Sequence, residues 1–152
     1  MAELWEAYSR HGEASGYAFA VFRQADGTVL GYACYGPHPL TEGTYDLYWI
    51  VVDPQARGQG IGRALLEHVE DQARSTGARL LVAETSSSSA YEPARRLYAS
   101  RGYAREAVLV DFYAPGDDLL IYTKPLSSQG QDAAGRRAAL RPYVDSRPLC
   151  VH

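Results

Sequence analysis

The chain has 152 residues, 46% hydrophobic and 22% charged, with a formal net charge of -3. One core and one domain are expected at this size, and the acidic balance argues against nucleic-acid partners, since neutralising phosphate needs a basic surface. No apolar run approaches the roughly 18 residues of a membrane span, no basic-then-apolar leader opens the chain, and Cys34 and Cys150 stand alone, so no membrane, zinc site or disulfide scaffold is indicated and a cytoplasmic setting is expected.

In chain order, residues 1–16 hold one short helical candidate, Leu4 to Tyr8, before Gly12 and Gly16. Tyr17 to Gln24 reads as a strand, Asp26-Gly27 as a hairpin turn, and Val29 to Tyr35 as the returning strand. Gly36-Pro37 ends it and 39–43 is a loop. The central strand runs from about Thr44 to Val52, where Asp53-Pro54 stops it. Ile61, Leu65, Leu66, Val69 and Ala73 then recur at helical spacing, with Arg63, Glu67, Glu70, Asp71 and Arg74 on the other face. This predicts a helix over 62–75, with Gly77 beyond its end. Leu80 to Ala83 makes a short strand ending at Glu84-Thr85, and 86–89 a loop. Pro93 suits the first turn of a helix over about 92–100. A strand over 103–110, a loop over 111–118 and a last strand over 119–123 follow. The sum is an α/β domain over residues 1–126, with a mixed sheet antiparallel at its start and end. Residues 127–152 carry four arginines against two aspartates and little periodicity. They read as a flexible or loosely packed tail, or alternatively as a segment that docks on another subunit.

Between the central strand and its helix lies QARGQGIG. The glycines have no Cβ to block backbone approach, and the free N–H groups opening a helix form an anion site whose usual tenant is phosphate. No GK[ST] follows and the loop is not GxGxxG, so it is neither a nucleotide-triphosphatase loop nor a dinucleotide fingerprint.

VDPQARGQGIGRALL resembles the acyl-CoA pyrophosphate loop of the GCN5-related N-acetyltransferase (GNAT) superfamily, with Arg57, Gly60 and Gly62 matching its pattern. ARRLYASRGYAR resembles a second block of that superfamily at Leu97, Tyr98 and Gly102, with Tyr103 in place of the usual Phe. The resemblance covers roughly Tyr17 to Leu126. It implies a central sheet with splayed strands and an acyl-CoA slot. A full member usually has a strand and two helices before the hairpin. Their absence here leaves open a truncated form, or an acceptor wall supplied by a homo-oligomer or a partner domain.

The resemblance also implies site residues. Val51 and Val52 are carried over as backbone contacts to the pantetheine arm. Arg57 and the amides of Gly58, Gln59, Gly60, Gly62 and Arg63 would hold the pyrophosphate. Tyr98 takes the position of a phenol near the cofactor sulfur, where it could protonate the leaving thiolate. Glu84 and Asp46 are the rival bases, Glu84 modestly favoured. By simple alternation, Asp46 shares a face with Tyr48 and Ile50. Tyr48, Tyr91 and Tyr113 are candidate acceptor contacts, with Asp117 and Asp118 beside Tyr113 in a loop. A family asparagine is absent where Tyr91 stands. Cys34 reads as structural. The expected activity is acetyl transfer from acetyl-CoA, without a metal, to a primary amine by direct attack. A small-molecule amine is slightly favoured over a peptide or protein amine. A catalytically silent acyl-CoA-binding module is the alternative, and an unrelated phosphate-ligand domain is a third reading.

Overall fold

The computed structural model describes residues 16–126. The helical candidate at 4–8, Cys150 and the 127–152 tail lie outside the described residues. Six strands form one sheet: β1 (Ala18–Arg23), β2 (Val29–Pro37), β3 (Thr44–Val52), β4 (Leu80–Ser86), β5 (Ala104–Ala114) and β6 (Asp117–Pro125). Their order is β1-β2-β3-β4-β6-β5. The β3–β4 pair is parallel and the other pairs are antiparallel. Helix α1 (Ile61–Ser75) connects β3 to β4, and α2 (Glu92–Ser100) connects β4 to β5.

The apolar stripe read from the sequence packs α1 onto the sheet: Ile61, Leu65, Leu66, Val69 and Ala73 are all buried. Gly31 on β2 makes the close approach possible. A Cβ there would lie 2.8 Å from the Val51 carbonyl oxygen and 3.1 Å from both Ile61 and Leu65. Gly77 follows the helix in the left-handed conformation and donates its N–H to the Arg74 carbonyl, as a helix-ending glycine does.

Two expectations are corrected. Glu70, placed by periodicity on the polar face, is buried. It accepts hydrogen bonds from Lys124 Nζ at 2.8 Å and the Tyr103 hydroxyl at 3.1 Å, with Arg74 3.5 Å away. A carboxylate leaves water only when partners replace its hydration, and here they come from β6, the residue just before β5 and α1 itself. The loop expected over 111–118 is instead a hairpin tip, with β5 running to Ala114 and β6 starting at Asp117. Asp111 holds the turn by accepting from Gly116 N at 2.7 Å, while its own N–H donates to Asp118 Oδ1 at 2.9 Å. The Asp, Pro and Gly residues that suggest a long loop therefore serve a tight turn.

Candidate active site

The site begins with a fork in the sheet. Strands β3 and β4 pair only from Thr44↔Leu80 to Leu47↔Ala83. Beyond that rung β3 continues to Val52 against β2, and β4 continues to Ser86 against β6. The facing edges therefore carry backbone groups that the sheet itself does not pair. The β2–β3 register slips at the same level: Tyr35↔Leu47 is followed by Cys34↔Trp49, leaving Tyr48 as an extra, bulged residue. Such a bulge bends its strand and re-aims the side chains.

The bulge corrects the expected faces of β3. Leu47, Ile50 and Val52 pair with Tyr35, Ala33 and Gly31, and Gly31 abuts Ile61 and Leu65, so these three face α1. Asp46 lies on the opposite face, where the Tyr48 side chain hydrogen-bonds it. Ile50 does not join them, because one inserted residue inverts the alternation.

At the mouth of the fork, Asp53 closes a one-turn 3-10 helix (Pro54–Ala56) by accepting from Gln55 N at 2.8 Å. Gly58 and Gly60 follow in the left-handed conformation, at φ 78° and 79°. Gly60 caps α1 without a side chain, and the first turn of this 15-residue helix carries no acidic residue. Its first amides and the positive end of its dipole are thus open to an anion. A cavity of about 460 Å³ lies there, lined by Val51, Val52, Arg57, Gly58, Gly60, Gly62 and Arg63, and across from them by Tyr91 and Leu97. Of the residues expected to hold the cofactor, all but Gln59 line it. A Cβ on Gly62 would sit 3.3 Å from Leu97 Cδ2 and 3.6 Å from Val52 Cγ2, so this glycine keeps the space between α1, α2 and β3 open.

The candidate proton-transfer residues are distributed differently. Tyr98 is buried in the core, its ring 5.5 Å from Tyr103 and 5.6 Å from Tyr122. It is not among the cavity-lining residues. Burial pushes its hydroxyl up to about 12, so the phenol keeps its proton at physiological pH. Glu84 is exposed on β4, one residue past the last rung of the fork. Burial and then the neighbouring Glu84, Asp117 and Tyr91 hold the Tyr113 hydroxyl above its ordinary value. Glu84, Tyr91 and Tyr113 therefore gather at one end of the sheet, while Asp46 and Tyr48 sit at the root of the fork.

The segment after β4 is tied down by side chains that the sequence pattern does not single out. Arg95 Nη1 donates to the Ser86 and Ser88 carbonyls, both at 2.7 Å. Asp117 accepts from the Ser86 hydroxyl, and Asp118 N donates to Ser87 Oγ at 2.8 Å. The two aspartates expected near the acceptor thus anchor the serine loop. Thr85 Oγ1 is buried without a partner among the described residues. His38 is a further residue that sequence reasoning misses. Its Nδ1 lies 2.6 Å from Asp46 Oδ2, a contact made by the loop joining β2 and β3. The only signal is position, two residues beyond Gly36, the partner of Asp46. Cys34 is fully buried and pushed up to about 11 by that burial, as expected of a structural cysteine.

A family model described as the acetyltransferase (GNAT) family matches residues 1–103. The chain belongs to the GNAT acetyltransferase family. It is 39% identical over 110 residues to the IAA acetyltransferase of Azospirillum brasilense, covering 71% of this chain and 67% of that protein. The crystal structure of a GNAT-family protein from Desulfovibrio desulfuricans shares 50% identity at a TM-score of 0.78, covering 82% of this chain and 78% of that one. The structure of a Salmonella typhimurium acetyltransferase with its cofactor acetyl-CoA shares 27% identity at a TM-score of 0.66, with coverages of 83% and 72%. The chain spans only 30% and 55% of two other curated relatives that it matches. In this GNAT member the fork, the glycine loop and the uncapped start of α1 occupy one mouth, built by the first sequence block. The second block supplies Leu97 to the cavity and Tyr98 to the core beneath it.

Proposed function

We propose that this GNAT-family chain is an N-acetyltransferase that moves an acetyl group from acetyl-CoA to a primary amine by direct attack in a ternary complex. The observation that carries this reading is the fork beyond Leu47↔Ala83 opening beside the uncapped N-terminus of α1. One opening thus combines unpaired strand edges for an amide-bearing arm with amides and Arg57 for a phosphate.

Acetyl-CoA supplies a thioester, an acyl donor that is already activated. The protein's part is to hold it, orient the amine and handle two protons. Arg57 and the amides of Gly58, Gln59, Gly60, Gly62 and Arg63 bind the pyrophosphate, and the backbone of Val51 and Val52 binds the pantetheine arm. Tyr98, kept protonated by burial, donates to the departing thiolate. Of the two carboxylates Glu84 and Asp46, one takes the amine proton. Tyr91 and Tyr113 beside Glu84, with Tyr48 beside Asp46, suit a compact amine, which favours a small molecule over a protein chain.

Calorimetric titration with acetyl-CoA, CoA and ATP tests the reading. Micromolar acetyl-CoA binding is expected, with ATP much weaker. Tyr98→Phe should lower turnover at least tenfold at unchanged acetyl-CoA affinity, and Glu84→Gln combined with Asp46→Asn should abolish it. ATP binding more tightly than acetyl-CoA would overturn the assignment.

A further inference from the structure

Thr85, Ser86, Ser87 and Ser88 follow one another at the end of β4, and the three serines are all bonded. Ser86 Oγ donates to Asp117 and lies 2.9 Å from Ser88 Oγ, while Ser87 Oγ accepts from Asp118 N at 2.8 Å. Thr85 is different. It is only 5% exposed, and its Oγ1 has no partner among the described residues. A hydroxyl shut away from water without a partner costs the fold stability. Its surroundings place that hydroxyl at the fork. Thr85 alternates with Leu81 and Ala83, both in the core, so it lies on the helix-bearing face. It stands two residues past the last β3–β4 rung, paired with Leu120 of β6 on one side and bordering the opening on the other. Helix α2 passes over it. Arg95 ties that helix to the Ser86 carbonyl, and Tyr98, a turn further on, packs against Tyr122, the β6 partner of Ala83. With Tyr48 counted as the bulged residue, the β3 residue level with Thr85 is Ile50, on the same face. Ile50 lines the cavity, as do Ala94 and Leu97 of α2.

We propose that Thr85 Oγ1 donates a hydrogen bond to the thioester carbonyl oxygen of acetyl-CoA and polarises it for attack. The inference rests on the N-acetyltransfer reading above and deepens it. With the pyrophosphate at the glycine loop and the arm running along β3 into the fork, the acyl end arrives where Thr85 and Tyr98 stand. As the amine nitrogen bonds to the carbonyl carbon, an electron pair of the C=O bond moves onto the oxygen. That pair re-forms the carbonyl as the C–S bond breaks. The sulfur leaves with the C–S pair and takes a proton from Tyr98, while the nitrogen gives its surplus proton to the base. A donor fixed by burial stabilises the charge on oxygen without having to reorient. Because Thr85 Oγ1 holds no bond within the protein, it breaks none to serve the carbonyl. Tyr98 thus serves the sulfur and Thr85 the oxygen.

The test uses the full chain and needs no acceptor amine. Thr85→Val keeps the branched shape and removes the hydroxyl, whereas Thr85→Ser keeps the hydroxyl and removes the methyl. Calorimetry with acetyl-CoA is compared with calorimetry on CoA, which lacks the carbonyl. Thermal melts of the free protein and the carbon-13 NMR signal of bound acetyl-CoA, labelled at its carbonyl carbon, are recorded in parallel. Thr85→Val should weaken acetyl-CoA binding about fivefold, the worth of one hydrogen bond, and leave CoA binding unchanged. The bound carbonyl signal should move upfield in Thr85→Val and stay in place in Thr85→Ser. The free Thr85→Val protein should melt no lower than wild type, since it loses no bond within the fold. Equal weakening of acetyl-CoA and CoA would put the hydroxyl on the arm instead of the acyl group and overturn the proposal. So would an acetyl-CoA affinity and a carbonyl signal that Thr85→Val leaves unmoved. If Thr85→Val fails to fold, Thr85→Ser and Thr85→Ala, which differ only in the hydroxyl, decide by the same binding and NMR readings. Failure of the wild-type protein to bind either CoA or acetyl-CoA would count instead against the acetyltransfer reading.

Discussion

Leu47 and Ala83 form the last rung between β3 and β4, and the candidate chemistry is arranged around that rung. Beyond it β3 is held by β2 alone and β4 by β6 alone. The separation is imposed from both sides, with the bulge at Tyr48 bending β3 and the long β4–β6 ladder holding β4. A fork built into the sheet needs no loop to order before a ligand enters, which lowers the entropic cost of binding.

Gly31 supports the fork from beneath. A Cβ there would fall 2.8 Å from the Val51 carbonyl oxygen, a backbone atom that cannot swing aside. Gly31→Ala should destabilise the fold by about 2 kcal/mol, in the range of overpacked cores. Because the displaced strand carries Val51, acetyl-CoA affinity should fall as well. Urea denaturation and calorimetry read the two effects separately.

The glycines of the anion loop should respond to substitution in different ways. Gly60 is left-handed, and a Cβ added to it would meet no atom within 4 Å, so Gly60→Ala encounters backbone strain of about 1 kcal/mol and no clash. Gly62 has ordinary helical geometry but faces Leu97 and Val52. Gly62→Val should leave the melting temperature nearly unchanged and weaken acetyl-CoA binding at least tenfold by filling the cavity. Thermal melts paired with acetyl-CoA titration distinguish strain from occlusion.

Glu70 joins α1 to β6 and to Tyr103 through Lys124 and the Tyr103 hydroxyl. Glu70→Ala strands the Lys124 ammonium, itself only 19% exposed. A loss of about 3 kcal/mol is expected, since removing one member of a buried pair leaves the other uncompensated. Replacing Glu70 and Lys124 together by Leu and Met should recover much of it. Stability measured over this double-mutant cycle checks the prediction.

Alkaline stability should report on Tyr98. Its folded value of about 12 lies above the free value of 10.0, with burial as the cause, so the fold favours the neutral phenol. The associated stability is complete below pH 10 and is lost as pH rises towards 12. That loss is on the order of 2–3 kcal/mol. Tyr98→Phe cannot ionise and should flatten that part of the stability–pH curve, as urea midpoints between pH 9 and 12 would reveal.

The sequence is most informative where local chemistry decides local structure. The α1 stripe, Gly77 beyond the helix, the Asp26-Gly27 hairpin and the glycine loop all follow from periodicity or from conformations that few residues adopt. The bounds of β3 and the two helices are accordingly close to those expected. All but Gln59 of the loop residues expected to bind phosphate line one cavity, because they are neighbours in the chain. The 111–118 segment departs from expectation because Asp, Pro and Gly mark both loops and tight hairpins.

What the sequence determined by itself was the α/β order of elements and the anion loop at the start of α1, since both depend on residues within one or two turns of each other. Tertiary structure alone decided where β3 leaves β4, which side of the bulge Ile50 faces, that Glu70 is buried, and that His38 meets Asp46. Each of these depends on pairing register or on partners far along the chain. A one-residue slip in register inverts a strand's faces without altering its composition.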